Sequence, residues 1–223
     1  MNYMADGVLW FHIATGACAL LLGLFNLLFT RKGTSLHIRT GRMFWYSMIA
    51  MATSGIVVAI LRPKAGFVLI GLLSMYLVNT GRNALKRPNG AVNRDAVWWL
   101  AVASSCLVMG IALGGYALAE GGQLFGSPYA LYLGAAFDAA IFVVLDLRLM
   151  RMGSATGRSR IVDHLWRMIA GLLFAMFALF VANPSVFPAW FTSAGLNFVP
   201  PLLVLAAGAY WVSAVRRGWW KGV

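Results

Sequence analysis

Acidic residues are scarce in this chain. Six aspartates and glutamates stand against 18 lysines and arginines, giving a formal net charge of +12 over 223 residues. Charged residues of both signs make up only 11%, against roughly a quarter in ordinary soluble domains. A soluble fold of this size has too much surface to hide the remaining apolar side chains. The two cysteines, Cys18 and Cys106, both fall inside apolar runs, so no disulfide framework is expected. There are three histidines and no His-Glu-x-x-His, no Cys-x-x-Cys and no glycine-rich phosphate loop, so none of the sites those motifs build is expected. The last apolar run has no lysine for a retinal Schiff base. Met1 to Gly7 contains Asp6 but no Lys or Arg, unlike the positive start of a cleavable signal peptide, and the apolar run that follows is too long for one.

What is present is apolar. Hydrophobic residues reach 61%, and the mean hydropathy is +0.79. Runs of about 20 apolar residues are long enough to cross a bilayer, and seven are predicted, at approximately 8–29, 43–62, 66–85, 97–119, 129–148, 161–182 and 196–215. The third is the weakest, because Asn79, Thr80 and Arg82 interrupt its end. The first, third and fifth gaps and the C-terminal tail hold 15 of the 18 basic residues, including Arg87 and Lys221. Basic loops stay on the cytoplasmic side during insertion. The expectation is therefore an all-α, seven-helix transmembrane bundle, a single domain over 1–223 with its N-terminus outside and its C-terminus cytoplasmic. Trp10, Trp98, Trp99, Trp190, Trp219 and Trp220 fall near predicted helix ends, as interfacial aromatics do. The basic loops point to anionic inner-leaflet lipids as partners rather than nucleic acid. A homo-oligomer or a place in a larger membrane complex is also open.

A faint repeat accompanies this pattern. Asn26 precedes Arg31-Lys32-Gly33, with His37 following. Asp146 precedes Arg151-Met152-Gly153 at the same spacing, with His164 following. A three-plus-one-plus-three parallel arrangement fits this, with the fourth helix as connector. Gly16, Gly23, Gly110, Gly114 and Gly171 would let helices approach closely.

Polar side chains at bilayer depth are costly, so they mark candidate sites. Asp138 lies near the middle of the fifth helix. Its expected partners are the hydroxyls of Thr53, Ser54, Ser74, Tyr76, Ser104 and Ser105, an arrangement suited to proton coupling, cation binding or a structural bridge. Nearer the cytoplasm, Asn26, Asn79, Arg82, Asp146, His164 and Arg167 share a depth, and Asp146 is expected to pair with Arg82 or Arg167. His12 lies roughly 20 Å from the other two histidines at 1.5 Å rise per residue. His37, expected in the first cytoplasmic loop, and His164, expected to open the sixth helix, are candidate metal ligands with Asp163 or Asp146. They are equally candidates to flank a haem whose propionates meet Arg39, Arg42 or Arg167. Loop ordering or lipid-phosphate contact is the alternative for this pair.

The run His12-Ile-Ala-Thr-Gly16, then Lys32-Gly33, then His37-Ile-Arg-Thr-Gly41-Arg42, and later His164-Leu-Trp-Arg167-Met168 resembles a group of uncharacterised bacterial multi-pass membrane proteins. A His-Arg pair is common in the first loop of that group, and here Ile38 separates His37 from Arg39. The resemblance implies a bacterial inner-membrane location and supplies no substrate. Three functions are expected from the residues. The first is a small proton- or cation-linked transporter whose polar path runs from His12 through Asp138 to Asn26, Asn79, Asp146 and Arg167. The second is a haem- or metal-binding redox protein on His37 and His164, and the third a non-catalytic accessory subunit of a membrane complex.

Overall fold

The computed structural model describes residues 3–86, 92–153 and 157–218. Arg87, Trp219, Trp220 and Lys221 lie outside the described residues. Helices dominate: α1 (Tyr3–Leu28), α2 (Ser35–Leu61), α3 (Gly66–Lys86), α4 (Arg94–Ala119), α5 (Tyr129–Arg151), α6 (Gly157–Phe180), the short α7 (Ala189–Ser193) and α8 (Val199–Arg217). Strands β1 (Gln123–Leu124) and β2 (Ser127–Pro128) form a small antiparallel hairpin. α1, α2, α4, α5, α6 and the segment Leu196–Arg217 are long and apolar enough to cross a membrane. Large apolar side chains such as Trp98, Val108, Phe137, Val144 and Leu203 are exposed along these helices, as expected where lipid replaces water.

α3 is not among these apolar helices, and it lies at the centre of the bundle. It buries ten residues, more than any other helix, and packs against α2, α4, α5 and α6. A helix enclosed by protein need not be apolar towards lipid, which explains its weak signal in the sequence. Two cores flank it. One joins Leu73, Tyr76 and Leu77 to Cys106, Tyr132, Ala135 and Phe142. The other joins Val78 to Phe44, Met48, Ile169, Leu172 and Val204. In lipid, helices associate through close packing rather than through escape from water. Gly110 shows this: a Cβ there would stand 2.8 Å from the Tyr132 carbonyl oxygen and 2.8 Å from the Ala136 Cβ. Together with Gly114, one turn on, it lets α4 lie directly on α5.

Helix ends are set locally. The Thr34 side chain accepts from the His37 amide and caps α2, and Asn93 does the same for α4 through the Ala96 amide at 3.0 Å. Pro200 and Pro201 sit in the first turn of α8, where a missing N–H costs nothing. At the opposite end from the basic loops, the β1–β2 hairpin is pinned to the α2–α3 turn. There Ser127 Oγ accepts from the Gly66 amide at 3.1 Å and the Phe125 carbonyl from the Ala65 amide at 3.2 Å. Gly126, with φ +65°, is needed there, since a Cβ would meet the Pro63 oxygen at 2.2 Å.

Two sequence expectations shift. α2 starts at Ser35, well before the apolar run, so His37 lies in its first turn and not in a loop. α6 starts at Gly157, so His164 lies about two turns inside it. Hydropathy finds the apolar stretch, and capped polar turns prolong the helix beyond it. The packing also does not repeat from half to half. α1 lies along α2, whereas α5 reaches α6 mainly through side chains such as Phe142 on Trp166.

Candidate functional site

The polar residues of the bundle separate into three places. The first is a buried ion cluster that ties α3, α5 and α6 together. Arg167, only 1% exposed, donates Nη2 to Asp146 Oδ1, Nε to Asp163 Oδ1 at 2.8 Å and Nη1 to the Tyr76 hydroxyl at 2.9 Å. Tyr76 donates on to Asp146 Oδ2 at 2.8 Å, and Trp166 Nε1 donates to Asp163 Oδ1 at 3.0 Å. All of the guanidinium's nitrogens are engaged. Of the two partners expected for Asp146, the structure selects Arg167. Arg82 instead lies over the Trp45 ring, 4.1 Å from its centroid.

The second place is a pocket of about 470 Å³ at the end of the bundle where the basic loops gather. Residues of α1, α2, α3, α6 and α8 and of the link after α1 line it. Its walls are apolar and aromatic: Phe44, Trp45, Leu165, Met168, Leu172 and Trp211. Its polar lining is Asn26, His37, His164 and four cations, Lys32, Arg42, Arg82 and Lys86. No aspartate or glutamate lines it among the described residues. Lys32 turns back on α1 and donates to the carbonyls of Asn26 (2.7 Å), Leu27 (2.9 Å) and Thr30 (3.1 Å), closing the helix C-terminus. It also lies 4.5 Å from the Trp211 ring centroid. Burial pushes its ammonium down to about 8. Arg42 and Lys86, both exposed, make no hydrogen bond or ion pair among the described residues.

The two pocket histidines are held by their Nδ1 atoms. His164 Nδ1 is 2.8 Å from the Gly81 carbonyl oxygen of α3, and His37 Nδ1 is 3.0 Å from Thr30 Oγ1. Both rings line this one pocket. Asn26 braces the wall beside His37: its Oδ1 accepts from Thr40 at 2.6 Å, and its Nδ2 donates to the His37 carbonyl at 3.4 Å. Gly41 makes room for this side chain, since a Cβ would stand 3.0 Å from Asn26 Nδ2.

The third place is not a site but two separate residues. His12 bonds through Nδ1 to the Met51 carbonyl at 2.8 Å and packs on Gly55, joining α1 to α2 towards the far end. Asp138 is half-buried on α5 and meets none of its expected hydroxyl partners: Ser54 and Ser74 bond to carbonyls of their own helix, and Tyr76 bonds to Asp146. Asn79 accepts from Trp45 Nε1 at 3.2 Å. The expected path from His12 through Asp138 is thus not assembled, whereas His37 and His164 do come together. Arg82, expected at this depth with Asn26 and His164, does line the pocket, whereas Lys32, Trp45 and Trp211 were not expected there. The one local signal was the Thr-Gly-Arg of Thr40–Arg42, whose Gly keeps room for Asn26. No group of three or more His, Cys, Asp or Glu placed to hold a metal ion occurs among the described residues.

Fold and site together define a multi-pass integral membrane protein with a basic, aromatic-walled pocket at one end. No protein-family model, no curated protein and no solved structure matches this chain.

Proposed function

We propose that this membrane protein binds an amphiphilic anion, a molecule with an apolar body and one or more carboxylate or phosphate groups, in the pocket at its basic end. The observation that carries this is the pocket lining: among the described residues, four cations, no carboxylate, and an apolar aromatic interior. An anion brought to Arg42 and Lys86 gains charge-assisted hydrogen bonds, each screened by solvent to about 1 kcal/mol or less because both side chains are exposed, while its apolar body fills the space between Phe44, Leu172 and Trp211. The same charges repel a cation, so the lining favours an anion over the cation-linked transport read from the sequence. In this reading α3 completes seven crossings. The basic end faces the cytoplasm of a bacterial inner membrane, where inner-leaflet anionic lipids meet the loops.

The test uses the full chain in nanodiscs of neutral lipid, titrated with dibrominated stearate, a contact quencher of tryptophan. Binding should add a saturable quenching of Trp45 and Trp211 to the non-saturable quenching of lipid-exposed tryptophans such as Trp98 and Trp190, and the saturable part should vanish in the Trp45→Phe/Trp211→Phe double variant. Arg42→Gln with Lys86→Gln should weaken binding about tenfold, since each 1.4 kcal/mol is tenfold. Quenching that is equal in the charge variant would remove the basis for an anionic ligand.

A further inference from the structure

Building on the proposed anionic pocket, we propose that its ligand is an iron porphyrin, held between His37 on α2 and His164 on α6 through their Nε2 atoms.

The tautomers follow from the partners. A carbonyl oxygen only accepts, so the contact with Gly81 places the His164 proton on Nδ1. Thr30 Oγ1 lies 2.8 Å from the Asn26 carbonyl, to which it can only donate. A hydroxyl has one proton, so its contact with His37 is as acceptor, and His37 too carries its proton on Nδ1. Both neutral rings therefore keep the Nε2 lone pair, and both lie on the wall of one pocket. An imidazole fixed by an acceptor at one nitrogen, with the other left basic, is how proteins orient a metal-binding histidine.

Ligand count then decides the kind of metal. A bare zinc ion takes three or four protein ligands, and no third His, Cys, Asp or Glu completes such a set among the described residues. Two imidazoles complete the shell of an ion that already holds four equatorial donors, which is the situation of iron in a porphyrin. The remaining lining suits the macrocycle. Phe44, Trp45, Leu165, Met168 and Trp211 are apolar or aromatic, and Arg42 and Lys86 are placed for its two carboxylates. Arg167, considered for that role from the sequence, is committed to Asp146 and Asp163 and does not line the pocket.

The experiment compares two probes on the purified full-length protein in detergent: hemin, and metal-free protoporphyrin with the same apolar body and the same two carboxylates. Hemin should bind with one-to-one stoichiometry, at least tenfold tighter than protoporphyrin, and give a six-coordinate low-spin spectrum. His37→Ala and His164→Ala should each convert this to a five-coordinate high-spin spectrum that added imidazole restores. His12→Ala, at the far end of α1, should change nothing. Protoporphyrin affinity should be indifferent to the two histidines and should fall in Arg42→Gln/Lys86→Gln. If protoporphyrin binds but hemin binds no tighter, or if hemin's spectrum is the same in both histidine variants, the iron assignment is overturned while the anionic pocket stands. If neither porphyrin binds while stearate does, the porphyrin assignment is overturned and the anionic pocket stands; if stearate fails as well, both fall.

Discussion

Arg167→Met offers the sharpest test of what holds the bundle together. The guanidinium is 1% exposed and bonds to Asp146, Asp163 and Tyr76 on three helices. Its removal leaves two buried carboxylates, one facing only the Tyr76 hydroxyl and the other only the Trp166 indole. Breaking a buried ion pair by deleting one partner costs about 3–5 kcal/mol, because the surviving charge remains unpaired. Replacing the whole set by apolar groups is often neutral or stabilising. The single variant should therefore lose about 3–5 kcal/mol, whereas Arg167→Met/Asp146→Leu/Asp163→Leu should recover most of it. Tyr76→Phe, which removes one donor to Asp146, should cost about 1–3 kcal/mol. Unfolding by dodecyl sulfate in mixed micelles, followed by circular dichroism, gives these differences. A single variant that loses less than about 1 kcal/mol, or a triple variant no better than the single, would refute a clamp that works by charge compensation.

Other outcomes follow from the same geometry. Lys32 has its pKa lowered from 10.5 to about 8 by burial. Below pH 8 it is charged folded and unfolded alike; between about 8 and 10.5 only the unfolded chain holds the proton, so stability of the ligand-free protein should rise with pH across that window. Anion affinity should fall over the same range as the pocket loses a charge, and Lys32→Gln should flatten both profiles. Gly110→Val should split α4 from α5, because its side chain would meet the Tyr132 backbone, and a melting temperature unchanged from the parent would contradict the packing. Asp138→Asn should leave both fold and pocket binding intact, since Asp138 has no bonded partner among the described residues and does not line the pocket; a loss of ligand affinity in that variant would revive the longer polar path.

Much of the architecture was readable from the sequence because lipid imposes long apolar runs, and charge alternation separates the basic end from the other. Helix ends were less readable: Thr34 and Gly157 start helices inside stretches that hydropathy scores as loops. α3 was weak for a physical reason, since Asn79, Thr80 and Arg82 are tolerated on a helix wrapped by four others. At the site, depth placed Asp146 beside Arg82 and Arg167 without choosing between them, and it left the meeting of His37 with His164 dependent on the course of the chain after α1. Depth says nothing of azimuth, however. His12 and Asp138 therefore looked like parts of one path although they lie on different helix pairs, α1 with α2 and α5 with α4. Trp211 and Lys32 were invisible as pocket walls because α8 and the link after α1 come together only through the tertiary fold.

The sign of charge that the pocket prefers is measured directly by a matched pair of ligands. A ligand that binds only the folded state adds about 2.7 kcal/mol of stability at a hundred times its Kd. Thermal unfolding of the full chain in neutral nanodiscs should therefore shift upward with stearate and not with stearylamine, which carries the same chain and the opposite charge. Equal shifts with both, or a larger shift with the amine, would contradict an anion-binding pocket.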